Sequence, residues 1–250
     1  MNQVLYKSIF KKESPFAISL VSLLHGIKLK QVREGVYRIK GYGNEMLVPW
    51  EGWGFFIEIL RDQVYEQVFR VEKGDVVLDV GAHVGIFTVK ATKAVGKNGL
   101  VVAIEPEPMS MALLQENVRN QDLNNVVFVG EAAGSRKGRA KLYLSPLSGR
   151  HSITGAGTDY IKVDMDTLDN IASKLKLKKV DFIKIDVEGA ELEVLRGAEK
   201  ILNSPNVKLA IAAYHTLPDG KPEFPDILSY LKSRGMKIWT KNKIFIYAKT

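Results

Sequence analysis

From Lys73 onward, short apolar runs alternate with longer segments whose apolar positions recur at helical spacing. DVVLDV reads as a buried strand and GIFTVKATKAVG as a helix stopped by Gly96. LVVAIEP is a strand ended by Pro106, MSMALLQENVRNQ a helix and NVVFVG a strand. AKLYLS and Tyr160 to Val163 read as short strands around a polar loop, SPLSGRHSITGAGTD. TLDNIASKLKL opens on a Thr/Asp cap and continues as a helix. VDFIKIDV, the ELEVLRGAEKIL helix, VKLAIAAYH, the PEFPDILSYLKSRG helix and a final pair, MKIWT and KIFIYAK, complete the series. This alternation predicts an α/β fold, a mostly parallel sheet with helices on both faces. The last two strands are joined only through Lys241 and Asn242, so they form a hairpin and the final strand runs antiparallel.

The first seventy residues follow another pattern. Ser14 to Leu29 is apolar, with Ser14 placed as a helix N-cap and Pro15 at the first helical position. Extended pieces follow, GVYRIKGY and EMLVPW. FFIEILRDQVYEQVF then sets Phe56, Leu60, Val64 and Val68 at helical spacing, which predicts a second helix. The expected organisation is an extension over 1–70, serving as a substrate cap or an oligomer contact, and a main domain over 71–250. The apolar helix is shorter than the roughly 20 residues that span a bilayer, so no transmembrane segment is expected.

Composition narrows the function classes. The chain has 250 residues, 46% of them hydrophobic and 26% charged, enough for a sizeable core. It contains no cysteine, which excludes disulfides and thiolate metal sites. That is compatible with a reducing compartment, the first fourteen residues show no secretory leader pattern, and a cytoplasmic location is the expectation. The net charge of +8 admits a nucleic-acid partner, yet the basic residues are scattered rather than gathered in a stripe.

VLDVGAHVGIFT, Val77 to Thr88, is a strand, a glycine turn and a helix, the place where nucleotide-like cofactors dock on open α/β sheets. It departs from the dinucleotide fingerprint, because His83 stands where a second glycine would let a pyrophosphate approach. No GxxxxGK[ST] phosphate loop is present either. Glu105 ends a second strand about twenty residues on, where an acidic side chain accepts from ribose hydroxyls. A glycine turn without a phosphate site and an acidic second strand suit S-adenosylmethionine, which carries a cationic sulfonium and no phosphate. Asp79 would serve its amino end. The alternative is an α/β fold with a tight βα turn and no such cofactor.

KIDVEGAELEVLRGA, Lys184 to Ala198, carries four carboxylates within eight residues. Strand alternation would put Asp186 and Glu188 on one face, while Glu191 and Glu193 fall at a helix start and are expected to do no more than complement its dipole. His215 follows VKLAIAAY, at a strand end on the same edge, and is a candidate general base beside a carboxylate. Its other reading is a hydrogen-bonded histidine at a strand end. His151, in the Gly/Ser loop, is expected at the surface. Asp186, Glu188 and His215 carry no metal-ligand signature in sequence, and no metal is expected.

VLDVGAHVGIFT, AIEPEP and TLDNIASKLKLKKVDFIKIDVEGAELEVLRGA together resemble the FkbM-type S-adenosylmethionine-dependent methyltransferases, in the family's order and spacing. The resemblance implies a class I methyltransferase fold, Rossmann-like, with a seven-stranded sheet and an antiparallel last strand. It implies that Gly81 and Gly85 line the cofactor, that Asp79 and His83 sit near its methionine half, and that Glu105 holds the ribose. It places Glu131 and Ala132 beside the adenine; the family often has an amide where Glu131 stands. Asp186 and Glu188 would face the cofactor and the acceptor. The expected activity is O-methylation of a small-molecule or saccharide hydroxyl, with homo-oligomerisation left open. Two alternatives stay open here: an RNA methyltransferase, and a non-catalytic basic interaction protein on a methyltransferase-like fold.

Overall fold

The computed structural model describes residues 15–145, 151–155, 158–217 and 219–250. They form two compact units that meet between Asp62 and Gln63 in the chain. In the first unit, helix α1 (Pro15–His25) precedes an antiparallel meander of β1 (Lys28–Arg33), β2 (Val36–Gly41) and β3 (Asn44–Pro49), and α2 (Gly52–Leu60) follows. Ser14, the expected cap of α1, lies outside the described residues. Ala17 and Val21 of α1 are buried, while Phe16 and Leu23 are exposed.

The predicted helix through Val68 is not formed: α2 stops at Leu60, and Gln63 takes a left-handed φ of 52°. The reason lies in the side chains off the Phe56–Val68 stripe. Tyr65 is buried with its ring edge-on to Phe87 and Phe245, and Phe69 meets Trp239, while Val68 itself is exposed. The Tyr247 hydroxyl donates to the Val64 carbonyl. These contacts tie 63–70 to the second unit, so the boundary falls at 62/63 rather than near 70.

The second unit runs β4 (Val76–Val80), α3 (Ile86–Val95), β5 (Leu100–Ile104), α4 (Pro108–Arg119), β6 (Val126–Val129), β7 (Ala132–Ala133), β8 (Gly138–Tyr143), β9 (Tyr160–Asp166), α5 (Leu168–Lys174), β10 (Phe182–Ile185), α6 (Glu191–Arg196), α7 (Glu199–Leu202), β11 (Lys208–Ala212), α8 (Phe224–Ser233), β12 (Lys237–Lys241) and β13 (Phe245–Lys249). Seven strands form one sheet in the order β12-β13-β11-β10-β4-β5-β6. β4, β5, β6, β10 and β11 pair in parallel, and β13 pairs antiparallel with both β11 and β12, as the short final connection requires. The central strands are apolar and buried along most of their length, because helices cover both faces. β7, β8 and β9 form a separate three-stranded sheet.

The ELEVLRGAEKIL helix is broken in two at Gly197 and Ala198. Gly197 lies against the Gly134 carbonyl, where an added Cβ would come within 2.0 Å of the oxygen, so only glycine fits that approach. Ala190, Val194, Ala198 and Ile201 are all buried and form one apolar stripe that the two helices share. Among the described residues, no helix is long and apolar enough to cross a membrane.

Candidate active site at the strand tips

The tips of β4 and β10 are laced together. Gly81 takes φ +74°, and a Cβ there would lie 1.9 Å from the Asp186 carbonyl oxygen, while the Asp186 amide donates to the Val80 carbonyl at 3.1 Å. The glycine thus serves the approach of two loops as well as the turn itself. Gly85, at φ +85°, precedes α3, and a Cβ there would lie 2.9 Å from Leu114 Cγ. His83 also has positive φ, 51°. Desolvation of its ring, with Lys184 and His151 nearby, pushes its pKa well below the ordinary histidine value, so the ring is neutral.

Asp79 differs from its expected role. It is fully buried, its Oδ2 takes the Thr88 hydroxyl at 2.5 Å, and its Oδ1 lies 3.2 Å from Lys184 Nζ. The carboxylate is spent on an internal ion pair because β4 is covered on both faces, and it does not reach solvent. Lys184 completes that arrangement, donating to the Gly81 carbonyl at 2.6 Å from under the glycine turn. Sequence reasoning passed over this lysine; its signal is a charge in the middle of the apolar run DFIKIDV.

Glu105, just past β5, accepts from the His83 amide at 2.8 Å and the Glu107 amide at 2.9 Å. Burial raises its pKa to about 7, against those two hydrogen bonds. Glu131 is a partly exposed side chain whose carboxylate pairs with Lys174 at 3.1 Å, and Ala132 beside it is buried in β7.

The remaining candidates converge. β10 ends at Ile185, so Asp186 and Glu188 belong to the following turn, where Glu188 takes φ +57° and Gly189 φ +95°. Turn geometry, and not the strand alternation expected from sequence, brings them together around His215. His215 Nε2 lies 3.4 Å from Glu188 Oε1 and 3.6 Å from Asp186 Oδ1. Behind it, His215 Nδ1 lies 2.9 Å from Glu191 Oε1. The Tyr65 hydroxyl donates to Asp186 Oδ2 at 2.5 Å, which gives this tyrosine a role beyond packing. Tyr214 stays exposed, its ring centroid 4.2 Å from that of His215.

Glu191 corrects the reading of it as a dipole residue. It is fully buried and accepts from the Val187 amide at 2.9 Å and the Gly189 amide at 3.0 Å, which folds the turn that presents Asp186 and Glu188. Burial would raise its pKa, but His215 and the hydrogen bonds from Glu223 and Val187 lower it, to about 2. Burial would lower the pKa of His215, and the surrounding carboxylates Glu188, Glu191 and Asp186 reverse this, raising it to about 11. Glu223 is pushed up to about 8, by burial first and by Glu191 second. Glu193, by contrast, stays at the surface with Arg196 and Ser135, in keeping with the modest role expected of it.

The described part of the Gly/Ser loop rests on the same turn. Ser152 Oγ donates to the Glu188 carbonyl at 2.5 Å, and Thr154 Oγ1 to the Gly189 carbonyl at 3.0 Å. His151 Nδ1 accepts from the Ser145 amide at 3.0 Å and is partly buried, so it serves the loop's own structure. Residues 146–150 and 156–157 of that loop lie outside the described residues.

A seven-stranded sheet of this order, with its polar groups gathered at the C-terminal tips of the parallel strands, defines a class I methyltransferase fold. A family model for the methyltransferase FkbM domain matches residues 79–238, and the chain belongs to that family of methyltransferases. The hexuronic acid methyltransferase AglP of Haloferax volcanii is 32% identical over 140 residues, which is 55% of this chain and 55% of that protein. The 31-O-demethyl-FK506 methyltransferase FkbM of Streptomyces tacrolimicus is 27% identical over 72% of this chain and 80% of its own length. Among solved structures, the methyltransferase FkbM of Methylobacillus flagellatus aligns with a TM-score of 0.54 at 23% identity, over 73% of this chain and 45% of that one. Aeropyrum pernix fibrillarin, solved with bound S-adenosyl-L-methionine, has a TM-score of 0.53 at 16% identity, covering 89% and 94%. At those identities the two structures speak for the fold.

Proposed function

We propose that this chain transfers the methyl group of S-adenosylmethionine to a hydroxyl of a saccharide or other small molecule, above the tips of β4, β10 and β11. The observation that carries the reading is the contact between the two loops. Gly81, in the turn of the cofactor motif, touches the Asp186 backbone, and Asp186 shares its carboxylate cluster with Glu188 and His215. A cofactor over the glycine turn and an acceptor over the cluster would therefore be neighbours. The names of AglP and FkbM, both small-molecule or sugar-acid methyltransferases, support the acceptor class.

In this reading Gly81, His83 and Gly85 form the turn under the methionine half, and Glu105 accepts from the ribose. Glu131 and Ala132 border the adenine. S-adenosylmethionine held there would supply its methyl group to the acceptor oxygen, with the electron pair of the broken S–C bond kept by the departing S-adenosylhomocysteine. The hydroxyl proton passes to Glu188, whose side chain is the most exposed of the three. Asp186, held by Tyr65, and His215, held by Glu191, position that carboxylate and the acceptor. Alignment of the reactants supplies much of the rate.

The test uses S-adenosylmethionine labelled in the methyl group, offered with glucuronic-acid saccharides and, separately, with total RNA at low salt. Label in the saccharide and none in RNA is expected. Label in RNA alone, lost steeply as salt rises, would replace the saccharide reading. Failure of well-folded protein to bind S-adenosylhomocysteine in calorimetry would remove the enzyme reading altogether.

A further inference from the structure

We propose that Asp186, Glu188 and His215 form a site for one divalent first-row metal ion of the manganese-to-zinc kind. Each offers one ligand atom, and these atoms lie within 4.8 Å of one another. The Nε2-to-carboxylate separations of 3.4 and 3.6 Å match donors around one ion, since bonds of about 2.0–2.2 Å set neighbouring ligands roughly 3–3.6 Å apart.

An acidic cluster alone would carry little, and the second observation concerns His215. Its side chain is 6% exposed. Its Nε2 points into the cluster, where the nearest oxygens, Glu188 Oε1 at 3.4 Å and Asp186 Oδ1 at 3.6 Å, stand too far off for a well-formed hydrogen bond, and Asp186 Oδ1 is likewise buried without one. Buried polar atoms ordinarily find partners, and two facing each other without one mark a place for a third body.

The surroundings of the ligands have the arrangement that metal sites require. A metal-bound histidine commonly turns its other ring nitrogen to a carboxylate, which fixes the tautomer. Here His215 Nδ1 faces Glu191, and Glu191 is itself fixed by two backbone amides. Asp186 keeps its second oxygen for Tyr65. Glu188 is pinned through its carbonyl by Ser152. One imidazole with two carboxylates favours a transition ion over calcium, which takes an all-oxygen shell, or magnesium.

Such an ion would lower the pKa of an acceptor hydroxyl bound to it, leaving the second Glu188 oxygen for the proton. That role rests on the methyl-transfer reading; the site does not. The experiment is titration of Mn²⁺ into the EDTA-stripped full chain, with free Mn²⁺ read by electron paramagnetic resonance. One Mn²⁺ per chain is expected, displaced by Zn²⁺, with affinity at least about tenfold weaker in Asp186→Asn and His215→Ala. Glu188→Gln, at the more exposed ligand, serves as the variant least able to disturb folding, and circular dichroism with a cooperative thermal transition checks that each variant is folded. Absence of Mn²⁺ binding, or equal affinity in all three folded variants, overturns the site. Mn²⁺ binding without methyl transfer would leave the site standing and remove only its role.

Discussion

The β4–β5 tips and the β10–β11 tips lie side by side and are built on opposite rules. At the first, the buried charges have structural partners: Asp79 holds Lys184 and Thr88, and Glu105 holds two backbone amides. At the second, three side chains converge while Asp186 Oδ1 and His215 Nε2 make no well-formed hydrogen bond. The first region sets its carboxylates against groups of the chain itself: the Lys184 ammonium lies 3.2 Å from Asp79 Oδ1, and two backbone amides reach Glu105. The second gathers Asp186, Glu188 and His215 with only long contacts between them, as the proposed acceptor site would need. An acidic residue at a strand tip is therefore not in itself a ligand-binding residue; what separates Asp79 from Glu188 is that the first is fully enclosed with a buried lysine and the second is partly exposed beside His215.

The sharpest way to break this contrast is to remove charge from each side in turn. Glu188→Gln should lower the methyl-transfer rate by about 10²–10⁴-fold, the range of a lost general base, at a smaller cost in stability than the lysine change below, since Asp186 and Glu191 still face His215. Lys184→Met should do the reverse. It strands the Asp79 carboxylate in the core and should cost about 3–5 kcal/mol in urea unfolding. Equal losses of activity and stability in both variants would dissolve the distinction.

A pH series sharpens the comparison at the β4–β5 tips. Glu105 titrates near 7 when folded, against 4.5 when unfolded. The folded chain thus holds the extra proton between those values, and this residue's contribution to stability falls as pH rises from 4.5 to 7, then stays low. Ribose hydroxyls favour the charged form. Affinity for S-adenosylhomocysteine should therefore rise about tenfold from pH 6 to pH 8, with proton release seen as a buffer-dependent heat in calorimetry. The same series on Glu105→Gln should be flat. The smallest effect is expected at Glu193→Gln, within about 0.5 kcal/mol and with full activity, as for a solvated surface charge. A large effect there would mean that the Ser135 contact matters more than its exposure implies.

The alternation of apolar runs and helical spacing carried the sheet, its order of elements and the antiparallel final strand, because strand burial and connection length are local properties. It misplaced the end of α2, since Phe56, Leu60, Val64 and Val68 kept helical period while Tyr65 and Phe69 were the side chains that needed burial. At the site, Asp186, Glu188 and His215 were legible as residues at strand ends. Their meeting was not, because it depends on left-handed backbone at Glu188 and Gly189. Glu191 was hidden behind a rule that fits its neighbour Glu193. Both open the same helix, and only the fold shows that one turns inward to His215. Asp79 failed the other way: its position after an apolar run looks like a cofactor contact until Lys184 is seen beneath it.

If the proposed function holds, chemistry happens at the β10–β11 tips while the β4–β5 tips hold the cofactor. The most direct measurement is single-turnover methyl transfer to a glucuronic-acid saccharide by wild type and Glu188→Gln, with S-adenosylhomocysteine affinity measured on the same samples. Affinity is expected to be unchanged within about threefold and transfer slower by at least about 100-fold. Transfer at the wild-type rate by Glu188→Gln, with the cofactor bound equally well, would contradict the proposed function.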